Sequence, residues 1–176
     1  MSMAGSADRI DLYYLHTPTM TDAPFEDIVE TLAGMREDGL IRHIGLSNVS
    51  AAQLRTAMSI TDIAAITVHY NVAVRLGAEV RHVAEAPASC SHPGTRAPSG
   101  RTEGVPFHAV IDPIAAKYDA TPQQIALAWQ LHRTAHALPI PGTTSVGHLK
   151  ANFAAAHIAL TPDEVDAITA LAREVD

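Results

Sequence analysis

Two hydrophobic periods alternate through the N-terminal third of this chain, and that alternation limits its fold more than any other feature. Arg9-Ile10-Asp11-Leu12-Tyr13-Tyr14-Leu15-His16 is a short apolar run closed by a polar residue and Pro18, the pattern of a buried strand. After a turn at 17–23, Phe25, Ile28, Val29, Leu32 and Met35 recur at helical spacing behind Pro24, until Gly39 stops them. Residues 43–48 form a second short strand. Ser50-Ala51-Ala52-Gln53 matches a capping box and opens a helix carrying Leu54 and Met58. Residues 63–70 are a third apolar strand. Strand, helix, strand, helix, strand predicts successive βαβ units on a parallel sheet, because parallel neighbours need a crossover and a helix usually supplies it.

The pattern fails after the third strand. From Ala84 to Gly104 there are 21 residues without one Val, Ile, Leu, Met, Phe, Trp or Tyr, and 15 of them are Ala, Pro, Gly, Ser or Thr. Such a stretch inside a compact α/β domain reads as a disordered or displaced loop. Order returns at Val105. A helix is expected over 109–118, offset or kinked by Pro113. Thr121-Pro122-Gln123-Gln124 is a second capping box, leading a helix apolar on most sides through Ile125, Leu127, Trp129 and Leu131. Ala137-Leu138-Pro139-Ile140-Pro141-Gly142 is a short strand whose prolines put it near an end or an edge. Ser145 or a neighbour caps a helix through Leu149 and Phe153, and Thr161-Pro162-Asp163-Glu164 is a third capping box.

Composition excludes several function classes. Twelve Lys+Arg against 19 Asp+Glu leave a formal charge of −7, and no basic stripe offers itself to nucleic acid. No apolar run reaches the roughly 20 residues of a membrane span, and the N-terminus lacks the pattern of a secretory signal. The single cysteine, Cys90, cannot pair within the chain, which fits a reducing cytoplasm. Ten histidines invite a metal reading, with His132 and His136 spaced i,i+4, but no carboxylate or thiol joins them, and zinc takes three or four ligands. Histidines of the surface and core are the plainer account.

Strand ends carry more information. Ligands of parallel α/β proteins bind at the carboxyl ends of the strands. Here the three strands end in His16, in Ser47-Asn48 and in His69-Tyr70-Asn71. A serine or asparagine at such a place can also simply cap the next helix.

The segments 10–16, Gly39-Leu40-Ile41-Arg42-His43-Ile44-Gly45-Leu46-Ser47-Asn48, and Leu138-Pro139-Ile140-Pro141-Gly142-Thr143 followed by Asn152 resemble the aldo-keto reductases, in that order. Those enzymes are NAD(P)H-dependent carbonyl reductases on a (β/α)8 TIM barrel. The likeness covers about 8–75 and 105–173. It implies a small aldehyde or ketone as substrate and NADP as cofactor. His16 corresponds to the histidine that hydrogen-bonds the substrate carbonyl, and Ser47 and Asn48 to the pair that holds the nicotinamide carboxamide. Thr143, Thr144, His148 and Asn152 fall where the family grips the adenosine phosphate. Gly142 and His148 stand where many members have Lys and Arg, so NAD remains open beside NADP.

The chain departs from the family in three places. The family's proton donor is a tyrosine whose pKa is lowered by a lysine paired to an aspartate, all three from the first three βα units. The first strand recognisable here matches the fourth of the family, so a partial barrel without about those three units is expected. Asp11, Tyr13 and Tyr14 cannot stand in for the missing residues. Thr67 occupies the place of a carboxamide-binding glutamine, and no seventh strand is legible within 76–104, whose bias resembles a GC-rich gene read in a shifted frame. The expectation is therefore one incomplete barrel domain over 1–176, with 76–104 disordered or non-native. Its catalysis would be impaired, or absent in a cofactor-binding remnant or a defunct fragment, and its exposed barrel edges would be open to self-association.

Overall fold

The structure, a computed structural model, describes residues 9–18, 22–72, 75, 77–84, 93–95, 107–133 and 136–171. It divides into two compact units, Met1–Thr67 with Val80–His92, and Val68–Glu79 with Pro93–Asp176.

In the first unit, β1 (Ile10–Leu15), β2 (Ile41–Ser47) and β3 (Ile63–Val68, its last residue counted in the second unit) are joined in parallel through α1 (Phe25–Glu37) and α2 (Ala51–Ile60). The elements are those that the two periods predict. β2 begins at Ile41, two residues earlier than its apolar pattern, because Ile41 pairs with Ile10 and is buried. The capping box at Ser50 is closed in both directions: Gln53 N donates to Ser50 Oγ at 3.1 Å and Ser50 N to Gln53 Oε1 at 2.9 Å. Gly39 turns the chain between α1 and β2 with a φ of 76°, a conformation that costs a side-chain-bearing residue energy. Val29 and Leu32 of α1 join Leu54 and Ala57 of α2 and Ile44 and Leu46 of β2 among the buried residues.

The second unit is built on α5 (Pro122–Arg133), whose residues Ile125 to Gln130 are all buried. Around it pack α4 (Phe107–Lys117), α6 (Val146–Ala154), the 3-10 turn Ala155–His157 and α7 (Pro162–Thr169). Pro113 lies inside α4 on its exposed side. Trp129 is fully buried, stacked on Tyr70 at 5.9 Å, with the Arg75 guanidinium 4.4 Å from its ring centroid. Trp129 Nε1 donates to Thr169 Oγ1 at 3.0 Å, so the one polar atom of the indole is satisfied. The boxes at Thr121 and Thr161 both form.

Of the stretch 76–104, the structure describes α3 (Ala78–Ala84) and a three-residue strand, β4 (Pro93–Thr95), paired in parallel with β5 (Leu138–Pro139). The sequence offers no strand here, because this pairing is made by backbone groups and needs no apolar side chains. The expectation of disorder over the rest of that stretch lies outside the described residues. β5 is shorter than the 137–142 run, and its Pro139 and the following Pro141 lack the N–H a longer ladder requires.

Candidate active site

The register of the first unit pairs Leu15 with Leu46 and Ser47 with Thr67, which brings His16, Ser47 and Thr67 to one end of the sheet. Ser50, not Ser47 or Asn48, caps α2, so neither residue of that pair is occupied by capping. Asn48 takes the left-handed conformation at φ 57°, which asparagine tolerates better than most residues. That turn sends its side chain back across the strand ends. Asn48 Nδ2 donates to the His16 carbonyl at 2.9 Å, to Ser47 Oγ at 3.1 Å and, more weakly, to Thr17 Oγ1 at 3.4 Å. Its backbone N–H donates to the Thr67 carbonyl at 3.3 Å. Thr17 Oγ1 lies 3.0 Å from His16 Nδ1. Ser47 is buried, whereas His16 and Asn48 are exposed. Thr17 was not among the residues singled out from sequence; a hydroxyl directly beside the histidine was the available signal.

In the second unit, the chain leaves β5 through 140–145 and enters α6. Ser145 N donates to Thr143 Oγ1 at 3.1 Å, and His148 N donates to Ser145 Oγ at 3.4 Å. The cap is therefore Ser145, and Thr143 shapes the turn before it. Thr144 and His148 are exposed, and Asn152 follows His148 by four residues on the same helix face, half-buried. No carboxylate sits in the first turn of α6. A helix start with hydroxyls and no acidic residue suits an anion. The donor set thus fits a phosphate here, and the Ser47 hydroxyl beside the Asn48 amide fits a carboxamide, which needs both a donor and an acceptor.

Among the described residues no group of three His, Cys, Asp or Glu could hold a metal ion. His132 serves the backbone instead: its Nε2 lies 2.9 Å from the Ile158 carbonyl and 3.2 Å from the Leu160 N–H. A tyrosine, a lysine and a carboxylate do meet in the second unit, but as a brace for α7. Tyr118 Oη lies 2.8 Å from Glu164 Oε2 and Lys117 Nζ 2.7 Å from Glu164 Oε1, while Thr161 N donates to Glu164 Oε2 at 2.8 Å. Partial burial disfavours the Glu164 anion. The Lys117 ammonium, the Thr161 N–H and the Tyr118 hydroxyl outweigh it and bring the carboxyl down to about 2.

The profile of the aldo/keto reductase family matches residues 5–94 and 101–173. The chain belongs to the aldo/keto reductase family. The match runs through residue 94, further into 76–104 than the motifs alone carry the likeness. Pyridoxine 4-dehydrogenase of Escherichia coli strain K12 is 34% identical over 157 residues, 87% of this chain and 52% of that protein. An aldo-keto reductase of Strobilurus tenacellus is 30% identical over 95% of this chain and 59% of its own length. The chain spans about half the length of the curated relatives it matches. Among solved structures, a thermostable aldo-keto reductase crystallised with the inhibitor epalrestat superposes with a TM-score of 0.81 at 30% identity, over 93% of this chain and 60% of that one. An aldo-keto reductase of Klebsiella pneumoniae, in complex with NADP and acetate, gives 0.72 at 26% identity, covering 93% of this chain and 59% of its own. These aldo-keto reductases are (β/α)8 barrels, and the parallel pairings and alternating helices of this chain make it part of one. No helix among the described residues is long and apolar enough to cross a membrane.

Proposed function

We propose that the chain carries the cofactor- and carbonyl-binding half of an aldo-keto reductase reaction, in which NADPH, or NADH, supplies a hydride to an aldehyde or ketone and leaves as NADP or NAD. His16 would donate a hydrogen bond to the substrate oxygen. Ser47 and Asn48 would hold the carboxamide, and Thr143, Thr144, His148 and Asn152 the adenosine phosphate. The observation that carries this reading is the 2.9 Å bond from the Asn48 amide to the His16 backbone carbonyl, which ties the carboxamide anchor to the carbonyl-binding histidine. One of its amide hydrogens is spent on that tie, and Asn48 Oδ1 supplies an acceptor for a carboxamide N–H.

The same reading assigns no residue of these 176 to the tyrosine, lysine and aspartate that give the proton. A free phenol near pKa 10 cannot do so efficiently at neutral pH. Binding with slow turnover is the expected behaviour of this chain on its own. The exposed apolar strand β1, with Ile10 and Leu12 outward, is proposed as the edge through which copies associate. Quenching of protein fluorescence on NADPH titration, together with NADPH oxidation over a panel of aldehydes, tests the assignment. Saturable binding is expected, with turnover more than tenfold below a full-length family reductase. Absence of binding overturns the cofactor site; turnover within tenfold overturns the claim that the proton donor is lacking. Light scattering across a dilution series reads association, and a monomer at all concentrations removes that part.

A further inference from the structure

We infer that Thr17 is a positioning residue that sets the tautomer of His16. The Asn48 side-chain nitrogen can be assigned without ambiguity, because it faces the His16 carbonyl at 2.9 Å and only an N–H can donate there. Its second hydrogen is shared between Ser47 Oγ at 3.1 Å and Thr17 Oγ1 at 3.4 Å. A hydroxyl has one hydrogen and two lone pairs. A lone pair of Thr17 Oγ1 faces the amide, and the hydroxyl hydrogen is free to turn to His16 Nδ1, 3.0 Å away. In that arrangement Nδ1 accepts, and the ring proton of the neutral imidazole sits on Nε2.

That tautomer is the one a carbonyl-binding histidine needs. An Nε2–H donates to a carbonyl oxygen, whereas a bare Nε2 would face it lone pair to lone pair. Which ring nitrogen carries the proton is set by the bond the other one makes. The relay runs from Asn48 amide to Thr17 hydroxyl to His16 imidazole, so the residue proposed to hold the cofactor also sets the polarity of the histidine through Thr17. The inference rests on the proposed role of His16 for its functional meaning, while the tautomer itself can be read without cofactor or substrate.

Long-range 1H–15N correlation of the uniformly labelled full chain at alkaline pH, with His16→Gln to assign the ring signals, reads the tautomer directly. Wild type is expected to show a protonated Nε2 and an unprotonated Nδ1 at His16. Thr17→Val, which keeps the shape and loses the hydroxyl, shifts the tautomer ratio by about fivefold toward that of free histidine, the size of one net hydrogen bond. Thr17→Ser restores it. A protonated Nδ1 in wild type overturns the inference even if no variant folds, and so does an unchanged ratio in a folded Thr17→Val chain. The Nε2–H tautomer without NADPH binding would sink the proposed function and leave the relay standing; binding with the other tautomer would do the reverse.

Discussion

β1 and β2 pair along their length, and β1 is the more apolar of the two, yet Ile41, Ile44 and Leu46 of β2 are 1%, 0% and 0% exposed while Ile10, Leu12 and Tyr13 of β1 are 47%, 41% and 40% exposed. β2 has a strand on each side and α1 packed against it. Among the described residues of its unit, β1 pairs with β2 alone. Apolar composition therefore measures how much cover a strand calls for, and its neighbours decide how much it receives. The largest consequence falls on β2. Leu46→Ala should remove about 3 kcal/mol, within the usual span of buried leucine truncations, because the residue is fully enclosed and its neighbours cannot collapse on the gap without cost. Chemical denaturation with an unchanged m-value would report it as a lower midpoint.

A smaller effect tests how tightly the two strands are coupled. Gly45 of β2 lies opposite Tyr14 of β1 in register, and a Cβ at Gly45 would sit 2.5 Å from Tyr14 Cε1. Gly45→Ala must displace the ring. Tyr14 is only half-buried, so the ring can move outward, and a loss near the lower end of the usual 1–3 kcal/mol of overpacking, about 1.5 kcal/mol, is expected. Truncating Tyr14 to Ala in the same background should remove the penalty. Additive losses in the double mutant would show that the strands do not press on one another at this point.

How much of this was legible in the sequence follows from the range of the forces involved. The three capping boxes at Ser50, Thr121 and Thr161 were readable because a cap is decided within four residues. The parallel order of β1, β2 and β3 was readable because helix-length crossovers leave little choice. The exposure of β1 was not legible in its period or composition, which describe a strand but not its neighbours; it followed only from the family resemblance, which implied exposed barrel edges. β4 was invisible because Pro93-Gly94-Thr95 pairs through its backbone. His16, Ser47 and Asn48 were singled out by their motif, and the structure places them at one end of the sheet; the bond between the Asn48 side chain and the His16 backbone spans 32 residues and had no local mark. Thr17 stands beside His16 in the sequence, but its contact with the Asn48 amide comes from that distant turn and left no local mark.

The second unit holds a polar counterpart to the contrast between enclosed and open sites. Gln130 is buried and its Nε2 donates to the Tyr70 carbonyl at 3.2 Å, whereas Glu164 braces α7 near the surface. Replacing Glu164 by Gln keeps the shape of the capping box and loses the charge-assisted bonds from Lys117 and Tyr118; a loss of about 1 kcal/mol is expected. Its pH dependence has a definite sign. The folded carboxyl titrates at about 2 against an ordinary value of 4.5, so its contribution is fully present above 4.5 and is lost as pH falls from there toward 2. Thermal midpoints between pH 5 and pH 2.5 should fall less steeply for Glu164→Gln than for wild type. Parallel curves would show that the cluster does not favour the anion.

The smallest effect is expected on β1 itself. Leu12 keeps 41% of its surface in the open, so Leu12→Ala should remove less than about 1 kcal/mol in a dilute sample, well below the loss from Leu46→Ala. The same substitution should tell more as concentration rises. If copies meet at this edge, wild type gains stability by mass action and its thermal midpoint climbs with concentration, while Leu12→Ala climbs less because the apolar edge is reduced. Midpoints of both chains over a hundredfold range of concentration separate the two terms. A dilute-limit loss equal to that of Leu46→Ala would mean β1 is enclosed like β2, and the contrast between the strands would fail; equal loss only at high concentration would place the missing cover on a second copy.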